Sequence, residues 1–259
     1  METTVENSDA LEQQWIEEQL RLRRQCLLKD PPELLAKLAD SSLLVGGLDI
    51  SYSPTDPSLA FVGVSVVRIG DPTTGKLPQT LVVECSQIEV NVPYIPDFLA
   101  FREVPAYLAA VSEFESLHSD LRADVFMVDS NGTLHPRRFG AACHLGVLLK
   151  RPCFGVAKKL PLLEALPNKL PRDADGRAQK CVIFERASRL NRGEVLNLLG
   201  QGGVLAGAAL LTGTSCKPVF VSPGHLITLQ TAVQITTRCS IHRIPEPTRQ
   251  VLRRSYFSL

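Results

Sequence analysis

The stretch "VFMVDSNGTLHPRRFG" (Val125–Gly140) decides how this chain is read. Val125, Phe126, Met127 and Val128 have the length and character of a fully buried strand. The run stops on Asp129. Ser130, Asn131 and Gly132 then supply turn chemistry, and a polar, basic segment follows. In open α/β sheets, ligand sites gather at the carboxyl ends of strands. An acid in that position is a candidate metal ligand or catalytic group. Asp is also common where turns begin, and on this motif alone the turn reading is the better one.

Upstream, "SLLVGGLDISYS" (42–53) reads as a strand once Gly46–Gly47 is passed. "LAFVGVSVVRIG" (59–70) and "QTLVVECSQIEV" (79–90) are β-rich runs, and "GDPTTGK" between them predicts an antiparallel hairpin. "NVPYIPDFL" (91–99) is a proline-braced loop. "FREVPAYLAAVSEFESLHSDL" (101–121) predicts a helix with Pro105 in its first turn. Downstream of Asp129, "FGAACHLGVLLK" predicts a second helix and "CFGVAKKL" a short buried strand ending in lysines. Residues 10–29 carry apolar positions at helical spacing, as in a surface helix. Residues 161–190 read as a surface insertion. "GGVLAGAALLT" and "PVFVSPG" resume β character, "HLITLQTAVQITTRCS" closes as a helix, and residues 243–259 read as a partly docked tail. Three meandering strands followed by strand–helix units match a ribonuclease H-like α/β architecture, a mixed central sheet flanked by helices. One domain spanning 1–259 is expected.

The chain is 44% hydrophobic, enough for a substantial core, and its net charge of +1 announces no global field for nucleic acid. Local basic clusters remain, in "RLRR", "HPRRFG", "VAKKL" and "VLRRSYFSL". A local basic face is enough for phosphate contact. Seven scattered cysteines with no CxxC pair give neither a zinc framework nor a disulfide scaffold. The acidic, polar amino terminus is unlike a secretory signal, and no apolar run reaches the roughly 18 residues of a membrane span. A soluble intracellular protein of the cytosol or nucleus, the nucleolus included, is expected.

Asp49 lies within the first strand and Asp129 ends the fourth. In a ribonuclease H-like sheet those strands are neighbours, so the two carboxylates would repel unless a cation lay between them. Hard oxygen ligands suit Mg²⁺, with Mn²⁺ as a substitute. Glu103 in "FREVP" offers a third acid. Three carboxylates around a divalent ion suit phosphodiester hydrolysis.

Four segments in order, "GGLDIS", "PYIPDFLAFREVPAYL", "VDSNGTLHPRRFGAACHLGVL" and "GVAKKL", resemble the endonuclease V family of inosine-specific nucleases. "SPGHLITL" fits as well, and "ACHLGVL" with "RIPEPTRQ" resembles its animal branch. The resemblance implies that Asp49, Glu103 and Asp129 bind metal and that Lys158 stabilises charge at the scissile phosphate. It places His225 near the active site, at the start of the last helix. It implies that Tyr94 is a wedge entering the stack where the altered base turns out, with Pro96 and Leu99 beside it. It implies that His135, Arg137, Gly140 and Ala141 border the base pocket. Gly140 would let backbone groups approach the base edge, and Arg137 and Arg138 are candidate phosphate contacts.

Each residue also has a plainer reading: Lys158 as a solvated strand-end lysine, His225 as a helix-cap histidine, Tyr94 as loop packing. Cys143 and His144, on an apolar helix, read as packed core and not as a nucleophile pair. Two positions depart from the family pattern. Ser130 follows the metal-binding Asp where glycine is usual, and Asp97 stands at a glycine position of the wedge loop.

The expected substrate is inosine-containing single-stranded RNA, with deoxyinosine DNA as a lesser one. The family's cut is at the second phosphodiester 3′ to inosine, and a monomer is expected. The competing readings are a structure-selective ribonuclease H-like nuclease and a non-catalytic reader of inosine RNA.

Overall fold

The computed structural model describes residues 2–56, 58–160, 179–191, 193–200 and 203–256. Strands β1 (Leu44–Tyr52), β2 (Leu59–Arg68) and β3 (Gln79–Glu89) form the antiparallel meander. β4 (Val125–Val128) and β5 (Cys153–Ala157) then add in parallel to β1. β6 (Val195–Leu199), β7 (Leu205–Leu210) and β8 (Val219–His225) complete an eight-stranded sheet of order β3-β2-β1-β4-β5-β8-β7-β6. The expected ribonuclease H-like mixed sheet is what forms. β1 begins at Leu44 and runs through both glycines, four residues earlier than the sequence reading placed it.

Helices cover both faces. α3 (Leu99–Leu117) and α4 (Ala141–Leu149) pack Val104, Tyr107, Val111, Phe114 and Leu145 on one face of the central strands. α2 (Pro32–Ala39) and α6 (Leu229–Arg238) bury Leu34, Leu38, Ala232 and Ile235 on the other. α1 (Glu2–Arg23) stops at Arg23, short of the expected Lys29, and its chain turns into α2, which the sequence reading missed. Pro105 sits in the second turn of α3, because the helix starts two residues earlier than predicted. Most of the expected surface insertion lies outside the described residues. Its described end is helix α5 (Gln179–Ser188). β6 had not been expected.

The expected tail is the largest correction. Residues Glu246–Tyr256 form α7, which lies across β1, β2 and β3. Two glycines make that docking close. A Cβ on Gly47 would stand 2.2 Å from the Pro247 backbone, and one on Gly63 would stand 2.3 Å from Val251 Cγ1. The Ser65 hydroxyl donates to the Pro247 carbonyl at 2.7 Å. No helix of the described residues is long and apolar enough to cross a membrane.

Candidate active site

The register sets the site. Leu48 pairs with Val128 in the parallel β1–β4 ladder, so Asp49 and Asp129 follow side by side. The Asp129 N–H donates to the Leu48 carbonyl at 3.0 Å, which fixes the height of the second acid against the first strand. Glu103, one turn into α3, faces the same end of the sheet. Lys158, just past β5, closes the group with its Nζ 2.5 Å from Asp129 Oδ2. These four side chains border one open cleft of about 500 Å³, together with Ile50, Tyr94, Leu99, Ser130, Asn131, Ala157, Lys159 and Leu252.

The electrostatics there are unfavourable to the protein's own carboxylates. Asp49 is only 6% exposed, and its Oδ2 is buried with no hydrogen-bond partner. Burial, reinforced by the Asp129 and Glu103 charges, holds its pKa well above the usual carboxylate range. Burial raises Asp129 as well, although Lys158 opposes the shift. Glu103 is pushed up to about 7, chiefly by burial. Weak hydrogen bonds from the Tyr107 hydroxyl (3.3 Å) and the Tyr52 hydroxyl (3.4 Å) pull it the other way. Burial works against the Lys158 ammonium, yet Asp129 beside it raises its pKa overall. Buried acids this poorly paired are disfavoured as a bare cluster and favoured once positive charge arrives.

The proline-braced loop 91–98 is held at both ends. Arg102 donates to the Val92 carbonyl, and its guanidinium lies over the Tyr52 ring at 4.6 Å. At the other end the Asp97 carbonyl accepts from Gln19 Nε2 (3.1 Å) and Arg137 Nη2 (2.9 Å), and it lies 3.0 Å from His135 Nε2. Asp97 takes a left-handed φ of 67°, which explains glycine's suitability there. Between these anchors Pro96 is exposed, and Tyr94 stands 66% exposed at the cleft edge. The arrangement is a rigid loop presenting a bare aromatic. α3 then begins at Leu99 with no side-chain cap from Phe98, so the positive end of a helix opens beside the cleft.

Several expected site residues have partners within the protein's own frame. Arg137 donates through Nε to Gln19 Oε1 at 2.5 Å and covers the Phe98 ring at 4.3 Å, so its guanidinium clamps α1 to the loop before α3. His135 is largely buried, and burial together with Arg137 pushes its pKa down to about 4. The Gly140 N–H already donates to the Gly132 carbonyl at 3.0 Å. A Cβ on Gly140 would stand 2.3 Å from the Asn131 carbonyl, so this glycine admits the protein's own turn. Ala141 is buried at the start of α4.

His225 is displaced from where the sequence put it. It ends β8 and does not begin a helix. In the antiparallel β5–β8 ladder His225 faces Cys153, whereas Phe220 faces Ala157, next to Lys158. That puts His225 on the order of 15 Å from the acids, at the opposite end of the strands. Cys143 is fully buried, as expected, and His144 packs between the Phe101 and Phe139 rings. The sequence reading missed Gln19, Tyr52, Arg102, Tyr107, Lys159 and Leu252. Only Tyr107 left a signal, four residues after Glu103 on one helix face.

The family model for Endonuclease V matches residues 32–251. The chain belongs to that family. It is 37% identical to mouse Endonuclease V over 93% of its own length and 67% of that protein, and 37% identical to human Endonuclease V over 91% and 79%. The crystal structure of the catalytic domain of human Endonuclease V superposes with a TM-score of 0.82 at 35% identity, covering 96% of each chain. Ciona intestinalis Endonuclease V, solved with a 24mer DNA containing an inosine followed by a ribo-adenosine, gives 0.80 at 29% identity over 96% and 98%. With its acids, lysine and cleft in this setting, the chain is a nuclease.

Proposed function

We propose that this protein is a divalent-metal-dependent endonuclease that cuts inosine-containing strands, single-stranded RNA in preference to DNA, at the second phosphodiester 3′ to the inosine. The observation that carries the reading is the meeting of Asp49, Glu103, Asp129 and Lys158 in one open cleft beside an exposed, stapled tyrosine. The orphaned Asp49 Oδ2 and the three raised carboxylates are what an oxygen-binding cation would satisfy, so Asp49, Asp129 and Glu103 fit Mg²⁺ or Mn²⁺. Among the described residues no three such groups are already drawn into a closed cage. Asp129 leans on Lys158 and Glu103 on two tyrosines. When bound, the metal supplies an activated water and neutralises charge on the phosphate.

The chain's own residues do the rest. Lys158 places positive charge where a phosphate oxygen gains negative charge. The Tyr52 and Tyr107 hydroxyls orient Glu103. Tyr94 fills the stack vacated by a turned-out base. Leu99 and the open end of α3 border that base.

The test is a single-inosine RNA strand, its adenosine counterpart and a matching deoxyinosine DNA strand, each with Mg²⁺ or with EDTA. The reading expects Mg²⁺-dependent cleavage one nucleotide beyond inosine, faster on RNA and absent with adenosine. Equal cutting of the adenosine strand would make the protein a structure-selective nuclease. Tight inosine-dependent binding without a cut would make it a reader.

A further inference from the structure

The end of the central strands opposite the acids holds its own reactive groups. Cys26 lies in the connection between α1 and α2, half-buried, against Cys143, Leu22, Phe139 and Val147. Its Sγ donates to the Gly224 carbonyl at 2.7 Å, and Cys143 Sγ reaches the neighbouring Pro223 carbonyl at 3.8 Å. The two sulfurs therefore stand over consecutive carbonyls of β8. The connection is pinned there: the Leu27 N–H donates to His225 Nδ1 at 3.2 Å, and the Leu226 N–H donates to the Leu27 carbonyl at 2.6 Å.

We propose that Cys26 and Cys143 are a peroxide-reactive thiol pair that closes to a reversible disulfide. Cys26 is the attacking sulfur and Cys143 the resolving one. The setting separates Cys26 from the other buried cysteines among the described residues. Its contact with Cys143, opposed by burial and aided by His225, draws its pKa down to about 6, so its thiol gives up its proton to become the attacking thiolate more readily than the buried cysteines do. Burial pushes Cys85 up to about 11 and raises Cys153 and Cys239 further. Cys143 is fully buried and raised by burial, which keeps it a thiol until a partner sulfur is oxidised beside it.

The chemistry balances. The Cys26 thiolate attacks one oxygen of hydrogen peroxide, the O–O bond breaks, and hydroxide leaves as Cys26 becomes a sulfenic acid. The Cys143 sulfur then attacks the Cys26 sulfur, the S–O bond breaks, and the oxygen departs as water with the Cys143 proton. Two thiols and one peroxide give one disulfide and two waters.

The test uses the full chain, reduced and native, at pH 7. Without any substitution, Cys26 should alkylate at least tenfold faster than the exposed Cys216. Hydrogen peroxide should then remove two alkylatable thiols, yield a Cys26–Cys143 linked peptide by mass, and be reversed by dithiothreitol. Cys26→Ser should leave Cys143 alkylatable after peroxide and denaturation. Cys143→Ala should trap Cys26 as a sulfenic acid that dimedone labels. Cys26 reacting no faster than Cys216, or peroxide linking any other pair, overturns the proposal. These readouts involve no nucleic acid, so they stand or fall apart from the activity proposed above.

Discussion

Two buried polar clusters flank the cleft, and they are built on opposite terms. Around the Asp97 carbonyl, Gln19, His135 and Arg137 all converge, and Phe98 lies under the guanidinium. Donors and acceptors there are matched, so burial costs little and the loop is held. Around Asp49 the account is left open: one carboxylate oxygen has no partner, and three acids crowd one lysine. A protein that needed only stability would fill that site with apolar or paired groups. The difference marks which cluster belongs to the frame and which to the chemistry.

The hardest blow to this contrast comes from Asp49→Asn. Activity on an inosine strand should fall by on the order of 10³-fold or more. Thermal stability should hold or rise, because a buried charge with an unpaired oxygen is removed. A fall in stability matching the loss of activity would mean that the acid is structural.

A second test concerns a buried polar group that is neither paired nor charged. His144 Nδ1 has no partner, and burial lowers its pKa to about 4. The folded chain therefore holds His144 neutral, while the unfolded chain protonates it below the ordinary 6.5. Its contribution is complete above that pH and is lost as pH falls toward 4, on the order of 3 kcal/mol at the limit. Glu103 acts in the opposite sense. With its pKa raised to about 7, it destabilises the fold above that pH, and the penalty fades as pH falls toward its unfolded value of 4.5. Denaturant midpoints of wild type and His144→Phe, compared from pH 7.5 to 4, should diverge as pH drops. Parallel curves would show that His144 is not held neutral.

Arg137→Ala sharpens the assignment of the frame. As a clamp residue it should cost about 2 kcal/mol of stability through the stranded Gln19 and Asp97 groups. The salt dependence of substrate binding should be unchanged. A weaker salt slope at full stability would restore Arg137 to phosphate contact. The smallest effect on the fold comes from Tyr94→Ala, where melting should move within about 0.5 kcal/mol of wild type. Cleavage should still drop about tenfold, the worth of one stacking contact. Unchanged cleavage would reduce Tyr94 to loop packing.

The sheet was legible because each of its first five strands announces itself locally. The two acids were legible because β1 and β4 run parallel and both carry an Asp at the same height. What failed was information split across the chain. "PVFVSPG" reads as a strand that gives way to a helix at His225, yet the ladder continues to His225 and carries that histidine to the far end of the strands. α7 reads as a charged tail because Arg249, Arg253 and Arg254 surround its few apolar residues. Its partners are Gly47 and Gly63, whose missing side chains are invisible as a docking surface until the sheet is assembled. Arg137 looked like a phosphate ligand because nothing in "HPRRFG" names Gln19, a residue of α1, as its acceptor.

Leu252 of α7 borders the same cleft as Asp49 of β1. A ribosome emits Asp49 long before Leu252, so a growing chain carries the acids before it carries the wall beside them. Until α7 lies down over the two glycines, the wall that Leu252 gives the cleft is missing.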